Sequence, residues 1–102
     1  MTSIDIRDNG TGRYKVGQVN VQYNSGNGYW CAVTQTVGTS TSPKVGLRVP
    51  GGPYIRASGG GASAGPVYRF RSDANPTCAF LEGSVLAPAD RSGGFTERKV
   101  CR

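Results

Sequence analysis

Histidine is absent from this chain of 102 residues, and acidic residues are absent from most of it. Between Asn9 and Ser72 there is no Asp or Glu. The same stretch carries seven bases, which are Arg13, Lys15, Lys44, Arg48, Arg56, Arg69 and Arg71. The formal net charge of +6 is therefore concentrated in one region, and a positive potential there favours anionic partners.

The missing residue types exclude most catalytic and metal sites. Without His the chain lacks the usual general base and the usual partner of a cysteine nucleophile. It has no Cys-x-x-Cys pair, no phosphate-binding loop, and no Gly-x-Ser-x-Gly elbow that precedes a predicted helix. We therefore predict a protein that is not an enzyme and that holds neither a cofactor nor a metal.

Long apolar runs and helical periodicity are also absent. No stretch approaches the ~18 apolar residues of a membrane span, and none repeats apolar residues at helical spacing. Short runs with period-two alternation are present instead, separated by Gly, Pro, Asn and Ser. These runs predict an all-β fold, a small antiparallel sandwich or barrel of about seven strands that forms one domain over residues 1–102. We expect residues 1–11 to form a loosely ordered N-terminal segment.

The clearest element is a hairpin around a turn at residues 24–28. Residues 19–23 alternate ahead of the turn, and Gly17 marks a bulge that shifts the register by one. The second strand covers residues 29–37, with Tyr29 and Trp30 on opposite faces. Further strands are predicted at residues 45–49, 54–57, 66–71, 77–86 and 95–101.

Two aromatic segments allow a functional and a structural interpretation. The run from Tyr68 to Arg71 alternates rings and arginines, as a nucleic-acid platform does. Alternation alone, however, favours a core strand with Tyr68 and Phe70 inward and both arginines solvated. Of Tyr29 and Trp30, one belongs to the core, and the other is available near the hairpin tip for a sugar or a protein partner. A Trp30 that fills the second face or lies under a loop is the alternative.

Three cysteines in a small, Gly-rich chain favour a secreted, disulfide-bonded protein. Cys31 and Cys78 each lie at the centre of an apolar strand, so we expect them to bond and Cys101 to stay unpaired. Cys78–Cys101 is the main alternative, since their strands are candidates for neighbours in one hairpin. The start of the chain lacks the basic and apolar segments of a signal peptide, so we expect the mature part of an exported protein.

Four segments carry a resemblance to a known family. They are Gly-x-Tyr-x-Val at residues 12–16, a strand ending Tyr-Asn at residue 24, Cys-x-Val-Thr at residues 31–34, and Ala-Gly-Pro-Val-Tyr at residues 64–68. Together they resemble the small secreted spore-associated proteins of actinomycetes, over about residues 12–80. The resemblance implies an exported, Cys-bonded β protein and supplies no catalytic residues. The family has a further Cys near the position of Gly10, whose absence here would leave Cys101 without its partner.

Three functions fit this sequence. The one we favour is a secreted binding module or adaptor subunit, for example in an exported toxin complex, that engages a partner protein, a glycan or an anionic cell-surface polymer. The others are a small secreted effector, either an antimicrobial toxin or a protease inhibitor, and a cytosolic nucleic-acid-binding barrel. The side chains predicted to make contacts are Tyr29, Trp30, Arg48, Arg56, Arg69 and Arg71. The four arginines lie on or beside predicted strands, so we expect them to share one basic face; the alternative is that these bases only keep the domain soluble.

Overall fold

A computed structural model of the chain describes residues 2–38, 40–72, 77–86 and 93–102. Over these ranges the chain forms eight β-strands and no helix. The strands are β1 (Thr2–Arg7), β2 (Lys15–Asn24), β3 (Tyr29–Thr36), β4 (Thr41–Arg48), β5 (Ile55–Ser58), β6 (Ser63–Phe70), β7 (Cys78–Leu86) and β8 (Gly94–Cys101). The predicted all-β class is confirmed.

The strands form two antiparallel four-stranded sheets that pack face to face. Sheet 1 has the order β1-β2-β3-β6, and sheet 2 has the order β5-β4-β7-β8. Their inner faces share one core, in which the largest fully buried side chains include Trp30, Ile6, Leu47 and Leu81. Each sheet therefore also presents an outer face, and the two outer faces lie on opposite sides of the sandwich.

The predicted hairpin and its bulge are confirmed. Strands β2 and β3 pair from Gly17 opposite Thr36 to Asn24 opposite Tyr29. Against β1, Ile6 pairs with Gly17 and Arg7 pairs with Lys15, so Val16 is the extra residue of the bulge. The shift directs both Val16 and Val19 into the core.

The expectation of a loosely ordered N-terminal segment is wrong. Residues Thr2–Arg7 form the strand β1, which was not predicted and brings the number of strands to eight. It pairs with β2 along six residues and buries Ile4 and Ile6. The chain then turns at Asp8, whose buried carboxylate accepts hydrogen bonds from the backbone amides of Thr11 at 2.8 Å and Tyr14 at 2.9 Å. These bonds and an isolated bridge to Gly94 fasten β1 beside β8, where the two sheets meet.

The predicted Cys31–Cys78 disulfide is also wrong. Cys78 bonds to Cys101, because neighbouring strands β7 and β8 place the two residues directly opposite each other. Cys31 is a free thiol in sheet 1. Since Trp30 occupies the inner face of β3, strand alternation turns Cys31 to the outer face, away from sheet 2.

Candidate binding surfaces

The six side chains predicted to make contacts do not form one site. Trp30 is 1% exposed and belongs to the core, so the prediction that it makes ligand contacts is wrong. Tyr29 lies on the outer face of sheet 1, whereas Arg48 and Arg56 lie on the outer face of sheet 2.

Arg69 and Arg71 do not lie with Arg48 and Arg56 on the outer face of sheet 2. Arg69 stands opposite Trp30 in the register of β6 and β3, is half-buried, and donates from its guanidinium to the carbonyl of Pro53 at 3.3 Å. Arg71 follows β6, and its backbone amide donates to the Gly28 carbonyl. The expectation that four arginines form one basic face is therefore wrong, because β6 belongs to the sheet opposite β4 and β5.

The outer face of sheet 2 gathers cations around two aromatic rings, and we call it the basic face. The Arg48 guanidinium carbon lies 4.1 Å from the centroid of the Phe80 ring and 5.5 Å from that of Tyr54. Lys99 Nζ lies 5.8 Å from the centroid of the same Phe80 ring. The basic face consists of Lys44, Arg48, Tyr54, Arg56, Phe80, Glu82 and Lys99.

The charges of the basic face are only partly neutralised. Arg56 pairs with Glu82, with 2.6 Å between Nε and Oε1. Among the described residues, neither Arg48 nor Lys99 has a carboxylate partner. The acids Asp73 and Asp90 lie outside the described residues. Glu97 also lies on this face, opposite Glu82 in the register of β7 and β8. Two cations thus share one aromatic ring, and neither makes an ion pair with a described carboxylate.

A separate hollow of about 430 Å³, which neither Arg48 nor Lys99 lines, lies between strands β4, β5, β7 and β8. Its lining includes Lys44, Phe95 and the ion pair of Arg56 with Glu82. Because the Glu82 carboxylate occupies Arg56, Lys44 is the cation of this hollow that is left for an anionic group, and Phe95 offers one apolar contact.

The outer face of sheet 1 carries exposed aromatic rings, and we call its hairpin end the aromatic face. Tyr68 is 54% exposed and Phe70 51% exposed, so the interpretation that places them in the core is wrong. The register with β3 sets Val67 opposite Ala32 on the inner face, and the adjoining inner space is filled by Trp30. Alternation then turns Tyr68 and Phe70 outward.

The rings of the aromatic face contact one another. Tyr29, 43% exposed, stands opposite Phe70, and the two rings meet edge to face with centroids 5.4 Å apart. Tyr68 stands opposite Cys31. The turn must bring its backbone close to Phe70, and Gly28 permits this with φ +76° and no Cβ, since a Cβ would lie 2.9 Å from the ring.

These side chains surround a depression of about 600 Å³. It is lined by Gln22, Asn24, Asn27, Tyr29, Cys31 and Tyr68. Partial burial raises the pKa of the Cys31 thiol, and a hydrogen bond with Tyr68 offsets part of the effect. A thiol held in its protonated form is a weak nucleophile, so Cys31 serves here as an uncharged part of the surface.

The amide side chains of sheet 1 fall into two groups. Toward β1, the amides of Gln18, Asn20 and Gln35 hydrogen-bond one another at 2.9 to 3.2 Å. Around the depression, Asn24 and Asn27 use only their oxygens, as acceptors from Gly26 and Tyr29. Within the described part of the chain, their NH₂ groups and the whole Gln22 amide have no hydrogen-bond partner.

Sequence reasoning missed Phe80, Lys99 and the amides of the aromatic face. The strands that carry Phe80 and Lys99 were predicted, but the sequence does not fix how they pair across the segment that separates them. The amides could have been found from the period-two spacing of Gln22 and Asn24 along β2, beside the aromatic position that begins β3.

Comparison with protein-family models, with curated proteins and with solved structures found no match for this chain. Within the described ranges, no helix has the length and hydropathy that a membrane crossing needs. The interpretation of both surfaces therefore depends on their own geometry.

Proposed function

We propose that this protein is a non-enzymatic binding domain that acts outside the cell and holds an anionic polymer against its basic face. The observation that supports this proposal best is the pair of cations on the Phe80 ring. Arg48 and Lys99 flank that ring, and neither has a carboxylate partner in the described ranges.

The geometry of this pair favours an anion physically. The ring attracts both cations by its quadrupole and restricts their motion, so less side-chain entropy is lost when a ligand binds. Two like charges near one ring also repel each other, and an anion between them lowers that repulsion. Arg48 presents a planar fork of donors suited to a carboxylate or a phosphate.

An extracellular location is supported by the Cys78–Cys101 disulfide. Such bonds persist in oxidising compartments and are rare in the reducing cytosol. The resemblance to secreted spore-associated proteins points the same way and remains a proposal. In that setting the available polyanions are surface polymers that carry phosphate or carboxylate groups.

A charge-matched pair of double variants tests the proposal. R48Q/K99Q removes the two unpaired cations that flank the Phe80 ring, and R7Q/R13Q removes the same charge near the end of β1. Binding of long-chain polyphosphate and of poly-glutamate is measured by fluorescence anisotropy over a series of NaCl concentrations. We expect R48Q/K99Q to bind about tenfold more weakly and R7Q/R13Q to change binding by less than about twofold.

Salt dependence gives the second readout. The affinity of the wild type should fall steeply as NaCl rises, and R48Q/K99Q should show a shallower fall because fewer exposed cations are screened. An equal loss of affinity in both double variants would show that only net charge matters. That result, or an affinity that does not change with salt, would contradict the proposal.

A further inference from the structure

We infer that the aromatic face is a second binding site, and that its ligand is a neutral oligosaccharide. This inference does not depend on the proposed function, because the aromatic face lies in sheet 1 and the basic face in sheet 2. It is carried by exposed rings, by amides without partners and by the absence of charge from the lining of the depression.

The rings supply the apolar half of the site. Tyr29 and Tyr68 line the depression, and Phe70 supports the Tyr29 ring edge-on from the side. A pyranose ring has a face of C–H bonds and an edge of hydroxyls, so its face can lie on an aromatic side chain while its edge stays polar. Three large aromatic side chains that are 43 to 54% exposed on one small domain indicate a surface that a ligand covers.

The amides supply the polar half. Sugar hydroxyls act as donors and acceptors at once, and a side-chain amide offers both functions in one plane. Gln22, Asn24 and Asn27 surround the depression with NH₂ groups that have no partner among the described residues. Further along the same face, hydrogen bonds link the amides of Gln18, Asn20 and Gln35 to one another, although the NH₂ group of Gln35 donates none within the described ranges. The amides that make no hydrogen bond to another described side chain are thus the ones beside the rings.

The charge of the lining selects a neutral ligand. All six side chains that line the depression are uncharged near neutral pH. Arg71 lies at the Gly28 turn and does not line the depression, and its guanidinium carbon is 5.8 Å from the centroid of the Phe70 ring. A single-stranded nucleic acid needs a basic groove that follows its backbone, and this face does not provide one. The volume of about 600 Å³ falls within the range of small-ligand sites.

Two ligands of different chemistry on opposite faces would make the protein a bridge. The basic face would hold an anionic polymer while the aromatic face held a neutral glycan chain, with no competition between them. Linking two surfaces in this way requires no catalytic group and fits an adaptor role.

The test uses a panel of neutral hexasaccharides, namely cellohexaose, chitohexaose and maltohexaose. Binding is followed by calorimetry and by NMR shifts of the side-chain NH₂ groups in the ¹⁵N-labelled protein. We expect one member of the panel to bind at millimolar concentration or below and to shift the NH₂ signals of Gln22 and Asn27. The shifts of Gln35 should stay in place.

Variants locate the site. Tyr68→Ala should weaken binding about tenfold, and Gln22→Ala about threefold, because each removes one half of the contact. Gln35→Ala, on the same face but outside the depression, where the Gln35 amide oxygen accepts from Gln18 and Asn20, should bind as the wild type does. R48Q/K99Q should also bind the hexasaccharide normally, which separates this test from that of the basic face. Unfolding curves confirm that each variant is folded.

Three results would overturn the inference. The first is that no hexasaccharide binds at millimolar concentration. The second is that a hexasaccharide binds equally well to Tyr68→Ala and to Gln22→Ala. The third is that an oligouridine or an apolar peptide, tested in parallel, binds through Tyr68 while the sugars do not, which would assign the face to nucleic acid or to a protein partner.

Discussion

The two outer faces of this sandwich use aromatic rings for different purposes. On the basic face, the rings of Tyr54 and Phe80 position cations, and Arg48 lies only 4.1 Å from a ring centroid. On the aromatic face, the rings of Tyr29 and Tyr68 line a depression directly and have amides as neighbours. An aromatic residue in a small β-domain therefore does not define a function until its cross-strand neighbours are known.

The largest expected difference between the faces follows from removal of the disulfide. The Cys78–Cys101 bond joins β7 to β8 across a sequence separation of 23 residues. Its loss in C78A/C101A should lower the free energy of unfolding by about 3 kcal/mol, measured in urea. Because β8 carries Lys99, polyphosphate binding should weaken more than hexasaccharide binding.

Cys31→Ala is the matched control for the disulfide variant. It removes a free, half-buried thiol and should change the free energy of unfolding by less than about 1 kcal/mol. If Cys31→Ala destabilises the protein as much as C78A/C101A does, the disulfide assignment is wrong.

The next largest effect is expected at the hairpin turn. Gly28→Ala places a methyl group 2.9 Å from the Phe70 ring at a backbone φ of +76°. We expect a loss of about 1–2 kcal/mol in the free energy of unfolding and weaker hexasaccharide binding, with polyphosphate binding unchanged. Gly51→Ala has a similar positive φ and open space around it, so it serves as the control for backbone strain alone.

Acid should lower the stability of the whole fold, and so affect both faces equally, because it protonates Asp8 at the junction of β1 and β8. Hydrogen bonds from the backbone of Tyr14, then of Thr11, lower the pKa of Asp8 from 3.8 to about 2, against the opposing effect of burial. A carboxyl with a lowered pKa in the folded state stabilises the protein above its unfolded pKa, and this contribution is lost as the pH falls from 3.8 through about 2. The free energy of unfolding should therefore decrease over that range, and Asp8→Asn should remove the part of the decrease that Asp8 causes. An unchanged pH profile in Asp8→Asn would contradict this role.

The smallest effect is expected at the ion pair of the basic face. Arg56 is 63% exposed at its side chain, so its bond to Glu82 is largely screened by solvent. Arg56→Gln should change the free energy of unfolding by less than about 0.5 kcal/mol and weaken polyphosphate binding about twofold. A larger loss of binding than that of R48Q/K99Q would place the anion site at Arg56 instead of at the Phe80 ring.

Much of the fold was predictable from local pattern. The β2–β3 hairpin followed from alternation on both sides of an Asn- and Gly-rich turn, and the bulge followed from one Gly that interrupts the alternation. Strand β1 was missed because it offers only Ile4 and Ile6 among polar residues. Such a short edge strand becomes recognisable only through its pairing partner.

The binding surfaces were less predictable, since alternation divides a strand into two faces without saying which one is buried. For Tyr68 and Phe70 the wrong face of β6 was assigned to the core. The two rings point outward because Trp30 on the neighbouring strand fills the inner space. The same ambiguity led to the wrong cysteine pair. Lys99 joined the basic face through the register of β7 and β8, which the sequence does not specify.

The central claim is that the two faces bind different ligands independently. It is tested most directly by measuring the affinities of R48Q/K99Q and Tyr68→Ala for both polyphosphate and the hexasaccharide that binds best. We predict that R48Q/K99Q loses about tenfold for polyphosphate alone and that Tyr68→Ala loses about tenfold for the hexasaccharide alone. If either variant weakens both ligands to the same extent, the two faces are not separate sites and the account is contradicted.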